Sequence, residues 1–297
     1  MHMCRNLALE TKISNAVDQG HNIFILGQAG TGKTCLITQL CRRKGSLCAM
    51  TATTGVAASL LPGGQTIHRF SGVMDGRFTD HELARKIIHE PEMKEVKMNI
   101  LNTELLVIDE VSMLSAKIFL RIEAVFRMVR KSSLPFGGMQ VVLSGDLYQL
   151  KPVPNIAYND PGCMFIKAEQ FKNLVPHCFF LSTVHRQTEN DLIEAINLCC
   201  RGEIKNSVTN LLKRLQRPLP PGETPVKLFA LNYDVDISNA NHLMAMEGEM
   251  KLFRADDTGE IKLLSKCTAP KTLHLKETCN HQDLLSRHEE VNLKEGE

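Results

Sequence analysis

Short apolar runs recur along the chain, and each one ends in a polar loop rich in residues that can do chemistry. The runs lie at residues 23–26, 47–50, 105–108, 140–143 and 178–181. Strands that are apolar on both faces are typical of parallel sheets buried between two layers of helices. Ligands bind beyond the carboxyl ends of such strands. We therefore predict an α/β fold whose functional residues converge at one edge of the sheet.

Apolar residues at helical spacing predict a helix on each side of the first run. One helix runs from about Leu9 to Gly20. The other ends in three cations, 42–44, followed by Gly45. Cations at the negative end of the helix dipole and a glycine just beyond it favour a helix that stops there. Much further along, the proline-rich stretch 217–225 predicts a linker.

The composition is that of an ordinary globular protein, with 43% hydrophobic and 23% charged residues. A formal net charge of +2 neither requires nor excludes a nucleic-acid partner. A local groove would have to supply the electrostatic field that attracts one. The N-terminus has no signal-peptide core, and no apolar run approaches the ~20 residues of a membrane span. We expect a soluble protein without membrane contact, and nucleus, mitochondrion and cytosol all stay open.

The cysteines carry a separate prediction about the cellular compartment. Ten are present, none in a C-x-x-C pair, and adjacent Cys199 and Cys200 fit neither a zinc-finger spacing nor a disulfide framework. Reduced thiols in an intracellular compartment are the preferred interpretation.

Residues 27–34, GQAGTGKT, match the pattern G-x-x-x-x-G-K-[ST] directly after the first apolar run. In such a loop the backbone N–H groups wrap phosphates, the lysine reaches the β and γ phosphates, and the last hydroxyl binds Mg²⁺. The residues predicted to bind ATP are Gly27, Gln28, Ala29, Gly30, Thr31, Gly32, Lys33 and Thr34. A glycine-rich turn without function is the alternative, which the strand before and the helix after make less favourable.

Two adjacent carboxylates, Asp109 and Glu110, follow the run 105–108. With Thr34, Asp109 would hold Mg²⁺ through water, and Glu110 would polarise the attacking water as general base. A solvated strand end is the alternative interpretation of an apolar run that ends in two acids. Together with the phosphate loop, the pair predicts ATP hydrolysis.

Five further segments carry a family resemblance, which extends from about residue 9 to about residue 276. They are TATTGVAA (51–58), GGQTIHRF (63–70), IDEVSM (108–113), PFGGMQVVLSGDLYQLKPV (135–153) and VHRQ (184–187). In order and spacing they resemble the motifs of the Pif-one (petite integration frequency) DNA helicases, in the RecD-like branch of superfamily one. The resemblance implies a P-loop NTPase domain with a RecA-like parallel sheet flanked by helices over residues 1–180. An incomplete second RecA-like domain would follow over residues 181–297.

The resemblance also implies roles for individual residues. Gln149 would contact the γ-phosphate, and Arg186 would reach across the interdomain cleft to the same phosphate, so that both join Lys33 and Glu110 as catalytic residues. The residues implied to contact single-stranded DNA are Thr51, Thr53, Gly55, Thr66 and His68. For His68 an ordinary capping or core histidine is an equal alternative. For Phe70 we predict core packing rather than base stacking.

As a function, the resemblance implies a 5′-to-3′ DNA helicase whose ATP hydrolysis is stimulated by single-stranded DNA. ATP and Mg²⁺ would be its cofactors, and single-stranded, duplex or structured DNA its partners. Genome maintenance would be its setting, through repair, recombination and telomere maintenance. A nuclear or mitochondrial location would follow. The oligomeric state stays open.

The chain departs from the family pattern at two places. The family has a glutamine that reads adenine, but the corresponding position in this chain falls near Glu10 or Thr11. The base selectivity is therefore open. After residue 276 the match stops, and the later strand-binding and arginine-bearing motifs are absent. Three hypotheses therefore stand: a C-terminally truncated helicase with impaired activity, the remnant of a transposon-encoded helicase domain, and an ATP-gated module that binds single-stranded DNA without unwinding.

Overall fold

The computed structural model of the chain describes residues 7–218, 225–248, 250–254 and 272–276. Its helices are α1 (Leu7–Asp18), α2 (Lys33–Lys44), α3 (Gly55–Ser59), α4 (Ile67–Ser71), α5 (Asp80–His89), α6 (Lys94–Asn102), α7 (Ala116–Arg130), α8 (Phe171–Leu174), α9 (Asn190–Cys200), α10 (Asn206–Leu215) and α11 (Asn232–Ala245). Its strands are β1 (Ile23–Gly27), β2 (Cys48–Ala52), β3 (Gln65–Thr66), β4 (Leu105–Asp109), β5 (Gln140–Gly145), β6 (His177–Leu181), β7 (Met250–Arg254) and β8 (Thr272–Lys276). Within these ranges no helix is long and apolar enough to cross a lipid bilayer.

Six strands form one parallel sheet in the order β3-β2-β4-β5-β1-β6. Strand β5 therefore lies between β1, which leads into the glycine-rich loop, and β4, which ends in the two carboxylates. The predicted α/β fold, a RecA-like parallel sheet flanked by helices, is confirmed. All five apolar runs became strands. Strand β3 was not predicted, because two residues are too short to give a pattern.

The central strands β1, β4 and β5 are buried on both faces, as their continuous apolar runs require, whereas the edge strand β6 leaves Phe180 56% exposed. In β4, Leu105 and Val107 pack on the side of α1 and α2, whereas Leu106 and Ile108 pack on the side of α4 to α7. Strands β1 and β5 alternate between the same two clusters. Phe70 is 1% exposed and packs on the side of α4 to α7, so its predicted core role is confirmed. The sheet is therefore held from both sides, which fixes the loops at its carboxyl edge.

A disulfide joins Cys41, near the end of α2, to Cys48, at the start of β2. The Cα atoms of the two residues are 5.4 Å apart. The prediction of reduced thiols is therefore wrong for this pair, because the fold brings together two cysteines whose spacing matched no known pattern. Within the described residues the other cysteines form no disulfide and are exposed, Cys199 and Cys200 among them.

The chain divides into two compact units, Met1–Arg217 and Pro218–Glu297. The division differs from the predicted domain boundary at 180/181, because α9 and α10 belong to the first unit. The two helices pack on each other through Leu198 and Val208. Of the second unit, the described residues form α11 and an antiparallel pair, β7 with β8. The proposed linker falls partly on residues 219–224, which lie outside the described residues, as does much of the implied second RecA-like domain.

Candidate nucleotide site

The glycine-rich loop leaves β1 and enters α2 at Lys33. Gly30 and Gly32 have φ values of 83° and 87°, in the left-handed region where glycine carries no steric cost. A side chain at Gly30 would also lie 2.7 Å from the Cβ of Arg186. The loop conformation therefore depends on glycine at position 32, which the pattern requires, and also at position 30, which the pattern leaves variable.

Lys33 is buried, with 8% of its surface exposed. Its Nζ donates hydrogen bonds to the carbonyl oxygens of Gly27 (2.7 Å) and Gln28 (2.9 Å). Burial lowers the pKa of the ammonium, and the nearby carboxylates of Asp146 and Glu110 oppose that shift. A buried cation among carboxylates, at the start of a helix, is suited to bind the phosphates of a nucleotide.

Thr34 and Asp109 meet where α2 begins and β4 ends. The Thr34 hydroxyl donates to Asp109 Oδ2 at 3.2 Å, which places two oxygen ligands side by side. In the described part of the chain, no group of three or more His, Cys, Asp or Glu could hold a metal ion. The pair nevertheless fits Mg²⁺, because Mg²⁺ at nucleotide sites takes only one or two protein oxygens and completes its shell with phosphates and water.

Glu110 adopts φ 53° and ψ 41°, a left-handed conformation that is uncommon for a residue with a side chain. Its backbone N–H donates to Asp109 Oδ1 at 3.0 Å, and its carbonyl accepts the Thr53 hydroxyl at 2.6 Å. Burial raises the pKa of the Glu110 carboxyl, and the charge of Asp109 adds to that shift. Unusual backbone geometry and a raised carboxyl pKa are both features of catalytic bases.

Gln149 is positioned by Asp146, a residue that we did not single out from the sequence. Asp146 is 5% exposed; its Oδ1 accepts the N–H of Tyr148, and its carbonyl accepts the N–H of Gln149. Gln149 lines a cavity of about 150 Å³ together with Gln28 and Ala29 of the glycine-rich loop. The predicted phosphate contact of Gln149 is thus compatible with its place beside the loop.

Arg186 lies directly over the glycine-rich loop. The N–H of His185 donates to the carbonyl of Gly30 at 2.7 Å, and the guanidinium of Arg186 is near enough to interact with the charges of Lys33 and Glu110. Arg186 belongs to the same compact unit as the loop. The predicted reach across an interdomain cleft is therefore wrong in this structure, because the segment after β6 stays with the first sheet.

A small pocket beside the loop is a candidate site for the base of the nucleotide. Its lining residues include Glu10 of α1, Cys35 and Gln39 of α2, and His185. Thr11, the alternative to Glu10 in the sequence comparison, does not line it. A carboxylate accepts hydrogen bonds only, whereas the amide of glutamine also donates. Base recognition at Glu10 would therefore differ from recognition by glutamine.

The five residues predicted to contact DNA have different environments. Thr51 is fully buried, and its hydroxyl donates to the carbonyl of Val107 at 2.7 Å. The assignment of its side chain to a DNA surface is therefore wrong, because β2 turns this position into the core. Gly55 is exposed at the start of α3. Thr53 is partly buried against Glu110, as described above.

Thr66 and His68 belong to the turn that opens α4. Thr66 caps that helix, because its hydroxyl oxygen accepts the N–H of Arg69 at 3.2 Å. Burial lowers the pKa of His68, which keeps its imidazole neutral at pH 7. Arg69, which we did not single out, is 72% exposed and lies 3.7 Å from Glu95. On this turn Arg69 rather than His68 offers a charge to solvent.

The sequence matches the PIF1-like helicase family over residues 7–204. The ATP-dependent DNA helicase PIF1 of Emericella nidulans is 34% identical in an alignment of 276 residues that covers 88% of this chain and 36% of that protein. The ATP-dependent DNA helicase RRM3 of Saccharomyces cerevisiae is 32% identical, with 90% of this chain and 38% of that protein covered. The chain thus spans well under half the length of these curated relatives.

Solved structures of similar proteins share the fold. The crystal structure of the Pif1 helicase from Candida albicans has a TM-score of 0.83 at 29% identity, covering 93% of this chain and 64% of that one. A Bacteroides Pif1 bound to single-stranded DNA has a TM-score of 0.76 at 30% identity, again covering 93% and 64%.

Proposed function

Since the chain belongs to the PIF1-like helicase family, we propose that it hydrolyses ATP and couples that reaction to movement along single-stranded DNA. We further propose that it moves 5′ to 3′ and separates duplex or structured DNA in repair, recombination and telomere maintenance. A nuclear or mitochondrial location belongs to the same proposal. The curated relatives are named ATP-dependent DNA helicases, and one similar structure is of a Pif1 bound to single-stranded DNA.

The observation that carries the proposal is the meeting of five polar or charged residues at the carboxyl edge of one sheet. Lys33 is buried at the start of α2, and Thr34 touches Asp109. Glu110 follows in a left-handed conformation, and Arg186 lies over the glycine-rich loop. The set contains a phosphate-binding cation, two ligands for Mg²⁺, a base and a second cation, which are the parts that phosphoryl transfer to water needs.

Each residue has one task in the reaction that we propose. Lys33 gives up its two loop carbonyls and donates to the phosphates of ATP. Glu110 accepts a proton from the attacking water, for which its raised carboxyl pKa is suited. Arg186 and Gln149 contact the γ-phosphate. Bound by Thr34 and, through water, by Asp109, Mg²⁺ would neutralise charge that develops on the phosphate oxygens.

The DNA contacts that remain in the proposal lie on the loops after β2 and at the start of α4. Gly55 and Thr66 would place backbone and hydroxyl groups against the phosphates of one strand, which positions the strand without reading its sequence. The Thr53 hydroxyl connects this region to the carbonyl of Glu110. Binding of a strand beside Thr53 would therefore reach the catalytic base through one hydrogen bond.

The test is ATP turnover by the chain with and without single-stranded DNA. We expect turnover to rise with DNA and to vanish in Lys33→Ala, because that change removes the buried cation. Arg42→Ala is the matched control, since it removes an exposed cation from the far end of the same helix and should leave turnover unchanged. DNA binding without any turnover in the wild-type chain would refute the proposal and support the passive binding module instead.

A further inference from the structure

Ser144 is a fully buried residue near the carboxyl end of β5, with 0% of its surface exposed. Its hydroxyl oxygen has no hydrogen-bond partner among the residues that the structure describes. An unpaired buried hydroxyl costs free energy, and nearly all such groups in folded proteins are paired. An alanine at this position would avoid that cost, so the hydroxyl calls for an explanation.

The alternation of side chains along β5 gives the direction of Ser144. Val142, two residues earlier, packs with Ile37 of α2 in the cluster on that side of the sheet. Residues two apart on a strand share a face. Ser144 therefore faces α2 as well, one residue pair closer to the loop that enters this helix.

The register of the sheet places Asp109 beside Ser144. Leu143 of β5 pairs with Ile108 of β4, so the next position on each strand brings Ser144 and Asp109 together. Neighbouring strands are about 4.8 Å apart. Asp109 also points to the α2 side, because it accepts the hydroxyl of Thr34. The unpaired hydroxyl and the carboxylate thus occupy adjacent places on one face.

Asp109 has room for another donor. Its Oδ1 accepts the Glu110 N–H at 3.0 Å, and its Oδ2 accepts the Thr34 hydroxyl at 3.2 Å. The second contact is long for a hydroxyl donor, which prefers about 2.5–3.0 Å. A carboxylate offers about four lone-pair sites, so two remain after these contacts.

We propose that Ser144 is a positioning residue of the magnesium site, whose hydroxyl donates to Asp109 when Mg²⁺ and nucleotide are bound. The inference rests on the proposed function. A second donor holds the carboxylate in one orientation and so favours its interaction with the cation, as outer partners of ligating groups do elsewhere. The Ser144 hydroxyl is unpaired before Mg²⁺ and nucleotide bind and paired afterwards. Part of the free energy of binding therefore comes from the new hydrogen bond of a buried hydroxyl that had none.

The test compares Ser144→Ala with the wild-type chain in two measurements. The first is thermal unfolding without nucleotide, where the variant should melt at the same temperature or higher, because it removes an unpaired buried group. The second is binding of a fluorescent ADP analogue as Mg²⁺ is titrated. There we expect the Mg²⁺ concentration for half-maximal binding to rise about tenfold, the lower end of the range for lost outer-shell partners. Binding of the analogue in EDTA should stay unchanged.

Ser71→Ala is the matched control. Ser71 belongs to α4 and is 1% exposed, and its hydroxyl donates to the carbonyl of Ile67 at 2.7 Å. Its loss should lower the melting temperature and leave the Mg²⁺ dependence unchanged. The inference is overturned if Ser144→Ala lowers the melting temperature as Ser71→Ala does, or if its Mg²⁺ dependence equals that of the wild type. A wild-type chain that shows no Mg²⁺-dependent binding would instead refute the proposed function.

Discussion

Replacing Glu110 with glutamine should stop ATP hydrolysis and leave Mg²⁺–ATP bound. The amide has nearly the volume of the carboxylate and changes no backbone atom. The hydrogen bonds from the Glu110 N–H to Asp109 and from Thr53 to the Glu110 carbonyl therefore remain. What is lost is the ability of the side chain to accept a proton from water.

The magnitude follows from that limited change. General-base catalysis contributes typically 10²- to 10⁴-fold. At 1.36 kcal/mol per decade, the loss corresponds to about 2.7–5.4 kcal/mol of transition-state stabilisation. Single-turnover hydrolysis of bound ATP measures it directly, beside a titration that gives ATP affinity. An equal loss of affinity and hydrolysis would refute the role of Glu110 as base, and so would unchanged hydrolysis.

We also expect Glu110→Gln to change how the melting temperature depends on pH. Burial raises the carboxyl pKa of Glu110 above its ordinary 4.5. A raised folded-state pKa means that the residue's favourable contribution is complete below 4.5 and is lost as the pH rises through the folded value. Glutamine does not ionise. The melting temperature of Glu110→Gln relative to the wild type should therefore be higher at pH 8 than at pH 4, and a constant difference would contradict the shift.

Three further substitutions test other parts of the structure. Thr53→Val removes the hydroxyl that reaches the Glu110 carbonyl, and it should reduce the stimulation of turnover by single-stranded DNA more than the unstimulated rate; an unchanged ratio would exclude this link. Gln149→Ala should weaken the coupling of hydrolysis to DNA unwinding more than ATP affinity, and a collapse of affinity in equilibrium titration would contradict the γ-phosphate contact. Cys41→Ser opens a disulfide between residues seven apart in sequence, which should lower the free energy of unfolding by about 2.5 kcal/mol without reductant; the same loss measured with dithiothreitol present would show that the disulfide is not its cause.

The strands and the phosphate loop could be predicted because their signals are local. An apolar run of four residues, such as 105–108, identifies a strand by itself, and the glycine pattern identifies its loop. The side-chain environments depend on contacts far apart in sequence. Thr51 belongs to a motif that suggests DNA, yet its position in β2 turns it toward the carbonyl of Val107. The pairing of Cys41 with Cys48 likewise needs α2 and β2 to be in place.

The positions of Asp146 and Arg186 show the same limit. Asp146 lies in the segment 135–153 that carries the resemblance, but no role was assigned to it there, and its role as the acceptor for the Tyr148 N–H appears only in the turn that follows β5. The segment around Arg186 resembles a motif at a domain border. Only the sheet order, in which β6 lies next to β1, brings that segment over the glycine-rich loop.

The two carbonyl oxygens that hold Lys33 act as an internal competitor for its ammonium group. Any anion that enters the loop must replace hydrogen bonds that are already short and well placed. Inorganic phosphate brings only its own oxygens to that exchange, whereas a nucleoside triphosphate adds two more phosphates and a base held elsewhere on the loop. Ligands that make several contacts therefore displace the two carbonyl oxygens from Lys33 more easily than abundant small anions do.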